Sequence, residues 1–191
     1  SEMCKAKNVL FIADEVQTGI ARTGKLLACD HEGVRPDILI LGKALSGGVI
    51  PVSAVLADDD IMLVIKPGEH GSTFGGFPLA GKVAIAALEV VKDEKLAEKA
   101  EYLGKIFRDE MSSINSPMIE LVRGKGLLNA VVIRNQPGKT AWDVCVEMKE
   151  CGVLAKPTHG NIIRFAPPLV INEAQLREAI GQIKKAFAKF M

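Results

Sequence analysis

The sequence predicts an α/β fold in its first part followed by a small α+β domain, and three observations carry that prediction. NVLFIADE (8–15) and PDILILGK (36–43) are short continuous apolar runs ending in charge. Strands buried on both faces of a helix-covered parallel sheet read this way. From Pro78 the apolar spacing turns helical over 78–111. Beyond Ser116-Pro117, strands and helices mix without regular βαβ alternation, which is the habit of an α+β domain.

Each element has a local reason. Between the first two strands, QTGIARTGKLLACDHEGV is long enough for a crossover and rich in loop signals. PVSAVLADDD (51–60) is a third strand whose acidic end suits the start of a short helix. Pro78 belongs in a first helical turn, and Ala84, Leu88, Val91, Leu96 and Leu103 recur at helical intervals, with a break near Asp93. LVRGKGLLNAVVI reads as a strand, TAWDVCVEMKECG as a helix with Gly152 at its C-terminal end, and IIRFAPP as another strand. NEAQLREAIGQIKKAFAKF closes the chain as an amphipathic helix.

Composition narrows the function. Hydrophobic residues make up 48% and charged residues 25% of the 191, an ordinary globular balance. The net charge of +1 lacks the electrostatic footprint of a nucleic-acid binder. Four cysteines without a CxxC pair suggest no disulfide framework and a reducing compartment, and three scattered histidines offer little to a metal. No apolar stretch reaches the ~20 residues of a membrane span. SEMCKAKN lacks the apolar core of a signal peptide. Opening without methionine on a polar piece that runs into a strand, the sequence is expected to be part of a longer chain.

The chemistry gathers at the strand ends. Ligands of open parallel sheets bind beyond the carboxyl ends of the strands. Asp14 ends the first run and Lys43 follows the second, so parallel strands would bring both to one rim. An amine set beside apolar surface loses hydration and becomes available as a nucleophile. Against this stand a strand-end lysine pointing into water and an aspartate serving as a helix cap or loop carboxylate. GEHGSTFGGFP could cradle a phosphate with its amides and hydroxyls, or could be a plain turn. In IIRFAPP, alternation puts Arg164 on the face opposite Ile163 and Phe165, where its planar fork suits a carboxylate or simply faces water.

IADEVQTGIARTGK, LGKALSGG, GEHGSTFGG and KPTHGNIIRFAPPL, in this order, together resemble the class III aminotransferases of fold type I, over nearly all 191 residues. The resemblance implies pyridoxal 5'-phosphate as cofactor and a homodimer or an assembly of dimers. It matches the C-terminal half of a longer family chain. Residues 1–88 would be part of the mostly parallel large-domain sheet that binds the cofactor, and 89–191 the small C-terminal domain. By the same resemblance Lys43 holds the cofactor aldehyde and shuttles protons, Asp14 pairs with the ring nitrogen, Val16 packs on a ring face and Gln17 bonds the ring hydroxyl. Ser72 and Thr73 would reach the phosphate in the neighbouring subunit. Arg164 would bind a substrate carboxylate, that of 2-oxoglutarate. The long match through LAKPTHGNIIRFAPPLVI implies L-ornithine as the amino donor, with acetylornithine or 4-aminobutyrate handled by relatives carrying the same lysine and aspartate. Phe77 departs from the small polar residue usual there. Relatives of this type occur in the mitochondrial matrix and the cytoplasm.

His70 and His159 are expected to make loop hydrogen bonds, and Arg123, Lys125 and Lys156 to be structural or surface charges. A Walker-B reading of VLFIADE fails for want of a phosphate loop: Asp37 stands where its first glycine is required and Ala44 where Ser or Thr is. A truncated, non-catalytic relative is the remaining alternative. In that case, strands meant for burial would be left exposed.

Overall fold

The opening polar residues form a short helix, α1 (Glu2–Ala6), in the computed structural model, which describes residues 1–191. Asn8 turns left-handed (φ 51°) and the Val9 N–H donates back to the Cys4 carbonyl at 2.9 Å, closing the helix. This closure takes residues from the expected strand. Only β1 (Ile12–Asp14) remains of 8–15. Its neighbour β2 (Ile38–Leu41) pairs with it in parallel, from Ile12 opposite Ile38 to Asp14 opposite Ile40. The link between them is turns and a single 3-10 turn, Ala28–His31. β3 (Ala54–Ala57) pairs antiparallel to β2, so the three-stranded sheet is mixed, in the order β1-β2-β3.

Asp59 and Asp60 open a single helical turn, α2 (Asp59–Met62), their charge favourable at its N-terminus. α3 (Pro78–Asp93) starts with its proline in the first turn, where no N–H is needed. Its end falls at the expected break, where Lys95 adopts φ 50° before α4 (Leu96–Ser112) begins. The chain divides into two units, Ser1–Ala97 and Glu98–Met191.

The strands of the first unit are less buried than their composition predicts. Every residue of β2 is only half-buried, and Ile12, Val55 and Leu56 are 53%, 56% and 47% exposed. The reason is cover: a strand is buried on both faces only when helices lie on both, and three strands present more apolar face than this unit's helices take up.

The second unit is a four-stranded antiparallel sheet, β4-β5-β7-β6, backed by helices. LVRGKGLLNAVVI, expected as one strand, is a hairpin: β4 (Ile119–Lys125) and β5 (Leu128–Ile133). Gly126 at φ 52° makes the reversal, a conformation open to glycine at no steric cost. α5 (Ala141–Glu150) is capped by Thr140 and Asp143 in a reciprocal box, and Gly152 (φ 89°) follows its end. β6 (Pro157–Thr158) and β7 (Ile162–Phe165) pair antiparallel. α6 (Glu173–Ala188) begins on an Asn172–Gln175 box.

The core of this unit is continuous. Leu103, Phe107 and Met111 of α4 meet Val131 and Ile133 of β5, Ile163 and Phe165 of β7, and Leu176, Ile180, Ile183 and Phe187 of α6. The Phe107 and Phe165 rings sit 5.1 Å apart, tilted by 47°. No helix is long and apolar enough to cross a membrane.

Candidate functional site

Parallel pairing carries the site. Because β1 and β2 run the same way, Asp14 at the end of one and Lys43 just past the end of the other reach the same edge of the sheet. Gly42 is extended, and Lys43 then begins a 3-10 turn, Lys43–Ser46, closed by Gly47 at φ 61°. Leu45 and Ser46 are buried and hold this turn down. Lys43 itself is exposed and adopts φ 45°. A left-handed lysine costs roughly 1–2 kcal/mol, so the turn is held against a local preference. Exposure replaces the apolar setting expected for this amine, since β2 beside it is itself only half-covered.

Lys43 lines a cleft of about 980 Å³ with Pro51, Ser53, Ser72 and the glycine-rich turn up to the start of α3. The Ser72 hydroxyl oxygen accepts the Gly75 N–H at 2.8 Å, which keeps that turn tight and leaves its own O–H to donate. Thr73 is exposed one residue on and does not line the cleft. Phe77, 43% exposed, stands in the cleft wall.

Val16 lies against Gly42, the residue before the lysine. A Cβ added at Gly42 would sit 3.3 Å from the Val16 Cγ1, so these two residues are in contact. Asp14 is exposed and accepts the Val16 N–H through Oδ1 at 3.1 Å, leaving Oδ2 open. It borders a separate hollow of about 350 Å³. Gln17 is exposed next to Val16. Arg164 lies in the second unit, exposed on β7 between buried Ile163 and Phe165. Across the sheet Ala130 pairs with both Arg123 and Arg164, which places the two arginines on one face. The rings of His70 and His159 are exposed and make no hydrogen bond, contrary to expectation: the loop bonding at 159 comes from the main chain, Asn161 N–H to His159 C=O.

One residue of the site passed unread in the sequence: Glu15 is 3% exposed. Burial works to raise the pKa of its carboxyl, but hydrogen bonds from Thr18 and from the backbone of Ala28 and Cys29 outweigh burial and hold it below its ordinary value of 4.5. The signal for it was the acid after Asp14, at a position alternation turns to the opposite side of the strand.

The family described as "Aminotransferase class-III" matches residues 1–187. The mitochondrial ornithine aminotransferase of Drosophila melanogaster is 65% identical over 184 residues, 96% of this chain and 42% of that protein. The rat protein of the same name is 61% identical over 189 residues, 99% of this chain and 43% of its own. Among solved structures, an acetylornithine aminotransferase from Elizabethkingia anophelis superposes with a TM-score of 0.94 at 65% identity, covering 100% of this chain and 50% of that one. An ornithine aminotransferase from Toxoplasma gondii, whose structure is described with pyridoxal phosphate at partial occupancy, gives 0.93 at 53% identity, covering 99% and 45%. The chain thus spans less than half the length of the curated relatives it matches, and its fold is that of the fold type I aminotransferases. It belongs to the class-III aminotransferase family.

Proposed function

We propose that the protein carrying this chain is an ornithine aminotransferase, moving the terminal amino group of L-ornithine to 2-oxoglutarate and yielding glutamate 5-semialdehyde and glutamate. The observation that carries this reading is Lys43, held left-handed on an anchored turn and lining a cleft with Ser72, with Val16 against the preceding Gly42. Identities of 65% and 61% to enzymes of that name support the substrate.

The donor set fits pyridoxal 5'-phosphate by its chemistry: an amine for its aldehyde, a carboxylate for its ring nitrogen and an amide for its ring hydroxyl, with two hydroxyls left for a phosphate held in a second subunit. When bound, this cofactor supplies an aldehyde to take up the amino group and a ring that accepts electrons. Asp14 holds a proton on the ring nitrogen through opposite charge. Val16 would pack on a ring face, and Gln17 would bond the ring hydroxyl. Ser72 and Thr73 serve the phosphate of the neighbouring subunit in a homodimer. With the cofactor bound, the Lys43 Nζ would take the proton from the carbon that bears the leaving amino group and deliver it to the carbon of the cofactor's aldehyde group, as a general base and then an acid. Arg164 binds a carboxylate of 2-oxoglutarate with its paired N–H donors. Residues 1–88 act as the cofactor-binding part and 89–191 as the small domain. A soluble location, mitochondrial matrix or cytoplasm, belongs to the same reading.

The test is an absorbance spectrum of the full-length protein with pyridoxal phosphate. A visible band from lysine-bound cofactor is expected, lost on adding ornithine and restored by 2-oxoglutarate. No band from folded protein overturns the enzyme reading. A band that ignores ornithine and responds to acetylornithine moves the protein to the specificity named for the Elizabethkingia relative.

Arg164→Ala is expected to raise the KM for 2-oxoglutarate at least about tenfold, since a charge-assisted pair is worth about 1.5–3 kcal/mol. The ornithine half-reaction, followed in single turnover, should change much less. An unchanged KM returns Arg164 to the role of a surface charge.

A further inference from the structure

The mechanism leaves Glu15 unused, although it is the most buried charged residue of the chain, at 3% exposure. Its carboxylate accepts the Thr18 hydroxyl at 2.5 Å on Oε2 and the Cys29 N–H at 2.8 Å on Oε1. Its main chain is tied as well: the N–H donates to the Ile40 carbonyl of β2 at 3.0 Å, and the carbonyl accepts the Gly19 N–H at 2.9 Å. One residue therefore fastens the end of β1 to β2, to the turn at 17–19 and to the far end of the loop at 29.

The loop it fastens is under strain and closely packed. Ile20 and Ala21 are left-handed at φ 54° and 69° and are 2% and 0% exposed. Such conformations persist only where the surroundings over-determine them. A Cβ at Gly19 would come within 2.8 Å of the Glu15 carbonyl oxygen and 3.4 Å of Leu41, so the turn lies as near the strands as glycine allows. The Cys29 thiol beside the carboxylate is pushed up to about 11 by burial and by Glu15, so it stays protonated and adds no second negative charge. No lysine or arginine pairs with Glu15; its charge is held by hydrogen bonds alone.

The flanking residues are those given to the cofactor ring: Asp14 on one side, Val16 and Gln17 on the other. Val16 rests on Gly42, immediately before Lys43. A loop released from Glu15 would let Val16 and Gln17 drift while leaving Asp14 and Lys43 on their strand ends.

We propose that Glu15 is a positioning residue that clamps residues 17–29 onto the sheet and thereby fixes Val16 and Gln17 for the cofactor ring, without touching cofactor or substrate. This rests on the aminotransferase reading above. Its chemistry suits a carboxylate, because the Thr18 hydroxyl and the backbone N–H groups of Ala28 and Cys29 all donate to it. A glutamine keeps one acceptor oxygen for the backbone and turns an N–H₂ toward the Thr18 hydroxyl, which must rotate to accept it, so the contacts survive but lose the charge assistance that makes hydrogen bonds to a carboxylate about twice as strong.

The experiment is Glu15→Gln in the full-length protein, with Thr18→Val and Thr18→Ser beside it. Pyridoxal phosphate affinity of the apoprotein is read by the visible band, and hydrogen exchange over 16–29 is read without cofactor. Glu15→Gln and Thr18→Val should each weaken cofactor affinity about tenfold or more and speed exchange in 16–29, while exchange in the second unit stays as in wild type. Thr18→Ser, which keeps the hydroxyl, should restore both. The two losses should not add in the double variant, because both act on the same contact. Wild-type affinity in Glu15→Gln, or faster exchange in 16–29 with affinity unchanged, overturns the positioning role and leaves the aminotransferase reading intact. A wild-type apoprotein that takes up no pyridoxal phosphate overturns that reading first, and this one with it. Unfolding of Glu15→Gln throughout, with Thr18→Val folded and binding cofactor normally, also overturns the positioning role.

Discussion

Lys43→Ala in the full-length protein is expected to lower transamination by about 10⁴-fold or more and to abolish the visible band of lysine-bound cofactor, with the thermal unfolding midpoint near that of wild type. The size follows from what is removed. A positioned general acid–base group is worth up to about 10⁴-fold, and under the proposed reading the same side chain would also hold the cofactor. The fold survives because Lys43 is exposed and makes no hydrogen bond or ion pair through its ammonium, whereas Leu45 and Ser46 anchor the turn. Alanine inherits the left-handed backbone at φ 45°. Lys43→Gly, freed of that conflict, is expected to be the more stable of the two variants by about 1 kcal/mol. Steady-state rates with ornithine and 2-oxoglutarate, together with calorimetry, read both numbers. Transamination surviving within tenfold of wild type would remove Lys43 from the chemistry.

Gly104→Ala is expected to destabilise the second unit by about 3 kcal/mol or more. On helix propensity alone the substitution should help, since alanine is preferred over glycine in a helix interior by about 1 kcal/mol. Packing reverses the sign. A Cβ at Gly104 of α4 would collide with the main-chain carbonyl of Gly126, at a separation under 3.0 Å that real Cβ atoms essentially never show. That carbonyl cannot swing away freely. It accepts the Arg108 guanidinium at 3.1 Å and the Asn129 side-chain amide at 3.1 Å, and Arg108 also donates to the Asn129 Oδ1 at 3.0 Å. Asn129 is 2% exposed, so breaking this cluster leaves polar groups buried without partners. Chemical denaturation of wild type and variant, compared at constant slope, measures the loss. A gain of stability would mean that α4 and the β4–β5 turn are not in backbone contact.

The hairpin at this contact explains why part of the fold was not legible in the chain. LVRGKGLLNAVVI reads as one apolar strand, since periodicity registers which side a residue faces and not where the backbone reverses. Gly126 makes the reversal, and its carbonyl lies so close to α4 that position 104 must be a glycine. Neither neighbour is visible from within the segment. The first strand was shortened for a similar reason: α1 closes onto residue 9 by a main-chain hydrogen bond that composition does not encode. Conversely, helix ends were legible. Pro78, the break after Asp93 and Gly152 act within a few residues of the helix ends, and they lie where expected.

The candidate site divides along the same line. The sequence by itself determined its chemical parts: an acid and an amine at the ends of two apolar runs, a serine in a glycine-rich turn, and an arginine alternating with buried residues. These follow from residue type and short-range spacing. Only the tertiary structure decided that the two runs are parallel, which puts Asp14 and Lys43 on one edge, and that Val16 supports the residue before the lysine. It alone singled out Glu15, whose partners stand three and fourteen positions along the chain. A carboxylate acquires that role when a loop folds back to bury it, and burial is a property of the assembled neighbours rather than of the residue.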